Sequence, residues 1–144
     1  MTRLATIGYE GASLADVIGR LQAAGTATVI DVRAIAASRR PGFSKTMLAA
    51  SLAQEGIGYH HLRALGTPKL GREAARAGRT GEMRAIFEAH LEEPAAQAQL
   101  AQAGDIAAAT PSALLCYEAD ARRCHRAVVA ERLARAHGFE VVDL

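Results

Sequence analysis

The most informative stretch of the chain is residues 113–133, which read ALLCYEADARRCHRAVVAERL. The first three residues form a short apolar run typical of a buried strand, and the last seven have the apolar spacing of an amphipathic helix. Both cysteines of the chain, one histidine, two carboxylates and three arginines lie on the turn between these predicted elements. In open α/β sheets such a turn lies at the carboxyl edge of the strands, where ligands bind. The stretch therefore predicts a site as well as a fold.

The rest of the chain alternates predicted strands with predicted helices. Strands are predicted at residues 4–9, 28–32, 57–62, 112–117 and 139–144. Helices are predicted at 14–24, 44–55, 80–92, 94–109 and 121–137, the first three with Ser13, Ser44 and Thr80 as caps. Residues 65–80 contain three glycines, a proline and four basic residues, a composition that predicts a long functional loop with about one helical turn.

This alternation predicts a single α/β domain over residues 1–144. We expect three layers, with a mainly parallel sheet of about five strands and helices on both faces. A chain of 144 residues buries about two thirds of its unfolded surface and needs no disulfide or metal for stability. No apolar run approaches the roughly 20 residues that span a bilayer, so no membrane contact is expected. Two cysteines without an export signal predict free thiols and a cytoplasmic location.

Charge is distributed unevenly along the chain. Residues 33–84 carry ten Lys or Arg against three acidic residues, a balance of +7, whereas the remainder carries −5. A basic middle indicates an anionic partner such as phosphate or nucleic acid. A solvated arginine-rich surface without any partner explains the same pattern equally well.

The polar residues expected at the carboxyl edge of the sheet supply the candidate site. The candidate carboxylates are Asp31 and Glu118, which can act as acid or base or can orient arginines. The candidate thiols are Cys116 and Cys124, which can serve as nucleophiles or as structural groups. The candidates for ligand binding are Gly8, Tyr9, Arg33, Ser38, Arg39, Lys69, His125 and Arg126. Arg126 near a helix start is suited to bind a phosphate or a carboxylate. Cys124 and His125 each lie four residues before a valine of the predicted helix, a spacing that also fits ordinary packing in the hydrophobic core.

A metal site and a thiol–imidazole pair are both disfavoured by spacing. Cys116, Cys124 and His125 can supply three zinc ligands, with Glu118 or His61 as the fourth. The spacing C-x7-C-H, however, matches none of the usual C-x2–4-C frameworks. Adjacent residues on a helix project about 100° apart, so His125 is poorly placed as a base for Cys124, and His61 is better placed. The sequence therefore predicts no metal and identifies no cofactor.

Five motifs, in order and spacing, resemble the bacterial and archaeal family called domain of unknown function 488. They are Thr6-Ile7-Gly8-Tyr9, Asp31-Val32-Arg33, Ser38-Arg39 with Phe43-Ser44-Lys45, Leu65-Gly66-Thr67-Pro68-Lys69, and Leu115-Cys116-Tyr117-Glu118 continuing to Cys124-His125-Arg126. Tyr9 stands where many members have histidine. The resemblance covers nearly the whole chain and implies a single α/β domain with a clustered polar pocket. It implies no particular activity.

Three functions fit these observations. The first is a pocket for a small anionic or phosphate-bearing ligand, in an enzyme or in a binding protein. The second is a nucleic-acid-binding module without catalysis that uses the basic segments 38–45 and 63–79, binding weakly because the rest of the chain is acidic. The third is a non-catalytic interaction domain. Charges gathered in a cleft favour the first, whereas charges spread along a face with exposed aromatics favour the second. The sequence predicts no oligomeric state.

Overall fold

The computed structural model describes residues 2–144, in which five strands alternate with six α-helices. The strands are β1 Arg3–Gly8, β2 Thr28–Asp31, β3 Gly58–His61, β4 Ser112–Cys116 and β5 Glu140–Asp143. The helices are α1 Leu14–Ala23, α2 Lys45–Gln54, α3 Lys69–Arg76, α4 Thr80–His90, α5 Pro94–Ala109 and α6 Arg126–His137. Single 3-10 turns lie at Arg63–Leu65 and Ala121–Arg123. None of the helices in residues 2–144 combines the length and the hydrophobicity needed to cross a membrane.

All five strands are parallel and form one sheet in the order β3-β2-β4-β1-β5. The predicted α/β class and parallel sheet are confirmed. Gly8 at the end of β1 pairs with Cys116 at the end of β4, and Asp31 at the end of β2 pairs with Leu115. The register therefore brings the ends of three neighbouring strands level at one edge.

Helices cover both faces of the sheet, as predicted. On one face, α1 and α2 contribute Val17, Leu21, Leu48 and Leu52 to a core that they share with β1 and β4. On the other face, α4, α5 and α6 contribute Phe87, Ala103, Val129 and Leu133 to a second core. The connections that leave β1 and β4 thus run over opposite faces. In open sheets such a reversal opens a crevice at the carboxyl edge.

Two predictions near the edge of the sheet were wrong. Residues 69–76 form α3 instead of a loop. Gly71 does not break this helix, because it is the residue that lets the backbone pack on Thr67: a Cβ at Gly71 would lie 2.1 Å from the Thr67 side chain. Helix α6 begins at Arg126, five residues later than predicted, so Cys124 is extended and His125 precedes the helix.

Of the three predicted helix caps, only one is made. Ser13 accepts a hydrogen bond from the Asp16 N–H in a complete capping box at α1. The Ser44 hydroxyl instead donates to the Ser38 carbonyl at 3.1 Å and accepts from the Ser38 N–H at 3.0 Å. Thr80 lies inside α4, whose N-cap is Arg79. Ser44 is thus the N-cap residue of α2, as predicted, but its side chain closes the 38–44 loop and makes no capping hydrogen bond. This loop forms one wall of the site.

Candidate functional site

A cleft of about 690 Å³ opens at the carboxyl edge of the sheet. This volume lies within the range of about 300–1,000 Å³ that small-molecule sites occupy. Seven of the residues predicted for the site line it, namely Tyr9, Arg33, Ser38, Arg39, Cys116, Glu118 and His125. The strand ends, the 38–44 loop and the turn after β4 thus meet around one space.

The other five predicted residues do not line the cleft. Lys69 is exposed at the first residue of α3. Gly8, Asp31, Cys124 and Arg126 are buried behind the cleft wall. These four support or adjoin the wall, as the following contacts show.

Asp31 forms a fully paired buried network with Arg33. The two carboxylate oxygens accept from the Arg33 guanidinium at 2.7–3.1 Å, and Oδ2 also accepts from the Tyr59 hydroxyl at 2.5 Å. Arg33 in turn donates to the Tyr9 hydroxyl at 3.0 Å and to the Phe43 carbonyl at 2.8 Å. Burial opposes the charge on Arg33, but the hydrogen bonds and charge of Asp31 raise its pKa overall. Asp31 therefore orients Arg33, which is one of the two roles predicted for it; the other was that of an acid or base.

Arg126 supports the turn after β4 from beneath. Its side chain is 1% exposed, and its guanidinium donates to the carbonyls of Glu118 and, at 3.3 Å, Ala119. Gly8 permits this arrangement, because a Cβ there would lie 1.8 Å from the Glu118 carbonyl oxygen. The sequence predicted that Arg126 would bind a ligand or a carboxylate. Arg126 instead stabilises, through these hydrogen bonds, the backbone of the turn that carries Glu118.

Cys116, Cys124 and His125 form a buried cluster at the cleft floor. Their side chains are 5%, 2% and 7% exposed, and their ligand atoms all lie within 4.8 Å of one another. His125 Nδ1 lies 3.7 Å from Cys116 Sγ and 3.8 Å from Cys124 Sγ. His125 meets its sequence neighbour because both residues precede α6, so the 100° rule for helices does not apply. His61, the predicted alternative, contacts the Arg33 carbonyl through Nε2 at 2.8 Å instead.

The cluster shifts the acidity of its members in opposite directions. Burial would raise the pKa of Cys124, but the hydrogen bond from Cys116 and the nearby His125 and Arg126 lower it well below its ordinary value. The hydrogen bond to Cys124, together with burial, raises the pKa of the Cys116 thiol. Burial opposes protonation of His125, yet the charge of Cys124 raises its pKa. Burial and then Cys124 raise the pKa of Glu118 to about 7. The pKa values of the two neighbouring thiols are thus shifted in opposite directions, that of Cys124 down and that of Cys116 up.

Three arginines that line the cleft were not predicted from the sequence as candidate site residues. Arg72 and Arg76 come from α3, and Arg123 comes from the turn before α6. Arg72 and Arg76 belong to the basic segment 33–84. Because this part of the segment was predicted to be a loop, nothing distinguished these two from its other basic residues. Residues four apart on a helix share a face, so recognising α3 would have grouped Arg72 with Arg76.

Comparison with curated proteins gives no match, and comparison with solved structures gives none either. A family match covers residues 13–133, which include four of the five motifs and the whole of the Cys/His cluster. The chain belongs to the family described as domain of unknown function DUF488.

Proposed function

We propose that the cleft binds a small anionic ligand, with a phosphate-bearing compound as the favoured class. One observation carries this proposal. Four arginines from three segments line the cleft, and none forms a salt bridge with any residue in the described range 2–144; they are Arg39, Arg72, Arg76 and Arg123. Guanidinium groups bind phosphates and carboxylates through paired, charge-assisted hydrogen bonds.

The carboxylates of the cleft do not cancel this charge. Glu10 accepts from the Ala119 N–H at 3.0 Å, and Asp120 is paired with Arg122 at 3.1 Å. Glu118 lies in the floor beside Cys116 and forms no salt bridge within the described residues. Arg33 is neutralised by Asp31 and is not counted among the four. The arginines are therefore the groups that remain for a ligand.

The arrangement favours a small ligand over a nucleic-acid strand. Basic residues of the segments 38–45 and 63–79 line one common cleft, a shape that suits a compact anion better than an extended strand. The large exposed side chains on the cleft are Ile35 and Tyr117, at 59% and 42% exposure. They can contact an apolar or planar part of the ligand. Two free buried thiols fit a reducing compartment, so we also propose a cytoplasmic location.

A binding experiment tests this proposal. We expect the protein to bind inorganic phosphate or pyrophosphate in calorimetric titrations, and Arg72→Ala/Arg76→Ala to weaken binding by more than about tenfold, since a charged hydrogen bond contributes about 1.5–3 kcal/mol. The control Arg20→Ala/Arg135→Ala removes the same charge far from the cleft. Equal binding by the cleft variant and the parent would refute the proposal. Tight, sequence-selective binding of an oligonucleotide at physiological salt would favour the nucleic-acid function instead.

A further inference from the structure

The geometry points to a zinc(II) site at the floor of the cleft, with Cys116 Sγ, Cys124 Sγ and His125 Nδ1 as ligands and the fourth position toward Glu118. We infer this from the arrangement of these groups, independently of the anionic ligand proposed above. The sequence disfavoured a metal on spacing alone. Spacing rules describe ligands on one short loop, whereas here the first ligand ends β4 and the others follow a 3-10 turn.

The two sulfur–nitrogen distances are those expected for tetrahedral coordination, and the three ligand atoms all lie within 4.8 Å of one another. With Zn–S near 2.3 Å and Zn–N near 2.0–2.1 Å, tetrahedral angles place sulfur and nitrogen ligands about 3.6 Å apart. His125 Nδ1 lies 3.7 Å and 3.8 Å from the two sulfurs. Glu118 Oε2 lies 3.7 Å from Cys116 Sγ, the separation that a fourth, oxygen ligand would have. An ion can therefore enter with only small movements of the side chains.

In its neutral form, His125 presents the lone pair that a metal requires. Its Nε2 lies 2.7 Å from the Val32 carbonyl oxygen, which can only accept, so Nε2 carries the hydrogen in the neutral ring. Nδ1 is then unprotonated and faces the thiols. Histidines that bind metals generally donate their other N–H to a carbonyl or carboxylate, which fixes the ring and its tautomer. The Val32 carbonyl fills this second role here.

The surroundings suit thiolates that bind a divalent cation. The Arg126 backbone N–H points to Cys124 Sγ at 3.5 Å, an outer hydrogen bond that favours a charged sulfur. Two thiolates with one divalent ion form a neutral set, which reduces the cost of burying charge. Thiolate and imidazole ligands select zinc over magnesium or calcium, which prefer oxygen.

The proposed site is open on the side of the cleft. Cys116, Glu118 and His125 line the cleft, whereas Cys124 lies behind them. Three protein ligands with a fourth position open to water or substrate are the pattern of catalytic zinc, whereas structural sites are closed by four protein ligands. Glu118 Oε2, 3.7 Å from Cys116 Sγ, lies beside this open position, which an oxygen of water or of a bound ligand would fill.

Cobalt(II) titration of the metal-free, reduced protein tests the site without any mutation. We expect one equivalent of cobalt to produce a thiolate-to-metal charge-transfer band and d–d bands typical of tetrahedral coordination. Zinc should then displace the cobalt and abolish both signals. Absence of the charge-transfer band, or bands of octahedral coordination, would overturn the proposal.

Variants test which residues are the ligands. Cys124→Ser and His125→Ala should each weaken zinc binding by more than about 100-fold, a larger loss than outer-shell changes cause. The exposed His60 offers the control His60→Ala, which should bind zinc like the parent. Circular dichroism of the metal-free variants establishes that they fold. Unchanged zinc affinity in a folded Cys124→Ser variant would contradict the assignment of the ligands. Arg72→Ala/Arg76→Ala should bind zinc like the parent, because the zinc site does not depend on the proposed anion site.

Discussion

Asp31 illustrates how this protein accommodates charge in its interior. The carboxylate is fully buried, and its oxygens accept hydrogen bonds from Arg33 and Tyr59. A buried ion pair adds little net stability compared with apolar packing, but removing one partner leaves the other charge unpaired at a high cost. The side chain of Arg33 also donates to the hydroxyl of Tyr9, which lines the cleft, and to the Phe43 carbonyl.

Replacing Asp31 should therefore destabilise the fold strongly. We expect Asp31→Asn to lower the free energy of unfolding by about 3–5 kcal/mol, because Arg33 would keep a buried charge without its counterion. Denaturant unfolding monitored by circular dichroism measures the loss. The exposed Asp105 on α5 provides the control Asp105→Asn, for which less than about 0.5 kcal/mol is expected. If Asp31→Asn lost as little stability as Asp105→Asn, the Asp31–Arg33 pair would not be needed for the stability of the fold.

Tyr59 should contribute stability that depends on pH. Burial and the hydrogen bond to Asp31 raise the pKa of Tyr59. We expect Tyr59→Phe to cost about 1–3 kcal/mol at neutral pH, since the bond goes to a charged acceptor. Because the pKa is raised in the folded state, this contribution is complete below the unfolded pKa of about 10 and falls as the pH rises above it.

Urea unfolding of the parent and Tyr59→Phe at a series of pH values checks this prediction. Tyr117→Phe, which alters an exposed tyrosine, is the matched control and should be neutral throughout. A stability difference that grew between neutral pH and pH 10–11 would have the wrong sign for a raised pKa.

At the scale of secondary-structure elements, the end of β1 and the turn after β4 depend on one another. The Glu10 N–H donates to the Tyr117 carbonyl at 2.8 Å, and Gly8 packs directly against the Glu118 carbonyl. Arg126 reaches the same carbonyl from α6. Three elements therefore fix the backbone that carries Glu118 into the cleft.

A methyl group at Gly8 should disrupt this junction. We expect Gly8→Ala to cost about 1–3 kcal/mol or more, because a Cβ 1.8 Å from a backbone oxygen forces the backbone apart. Gly19 in α1 is the matched control, since a Cβ there meets nothing within 4 Å. Gly19→Ala should stabilise the protein by about 0.5–1 kcal/mol, as alanine does inside helices. Thermal unfolding of both variants gives the comparison, and equal effects would contradict the packing argument.

Elements with strong local signals were predictable from sequence, and elements defined by tertiary contact were not. The five strands and helices α1 and α5 follow from apolar runs, capping residues and the proline at the start of α5. Helix α3 was missed because Gly71 looks like a breaker, whereas its role is close packing on Thr67. The late start of α6 was missed because apolar periodicity does not reveal where the turn before the helix ends.

At the scale of the whole molecule, the parallel sheet assembles the site from distant segments. β1, β2 and β4 end level, so residues near positions 9, 33 and 116 lie together although they are far apart in sequence. This convergence was predictable from the alternation of strands and helices. The contact between His125 and two thiols was not, because it depends on the 3-10 turn at Ala121–Arg123.

A crystal structure grown with tungstate would show whether the arginines of the cleft bind an anion. Tungstate mimics phosphate, and its anomalous scattering identifies it without ambiguity. We expect an anomalous peak inside the cleft, within hydrogen-bond distance of at least two of Arg39, Arg72, Arg76 and Arg123. Peaks confined to the outer surface, with these four side chains directed into solvent, would contradict it.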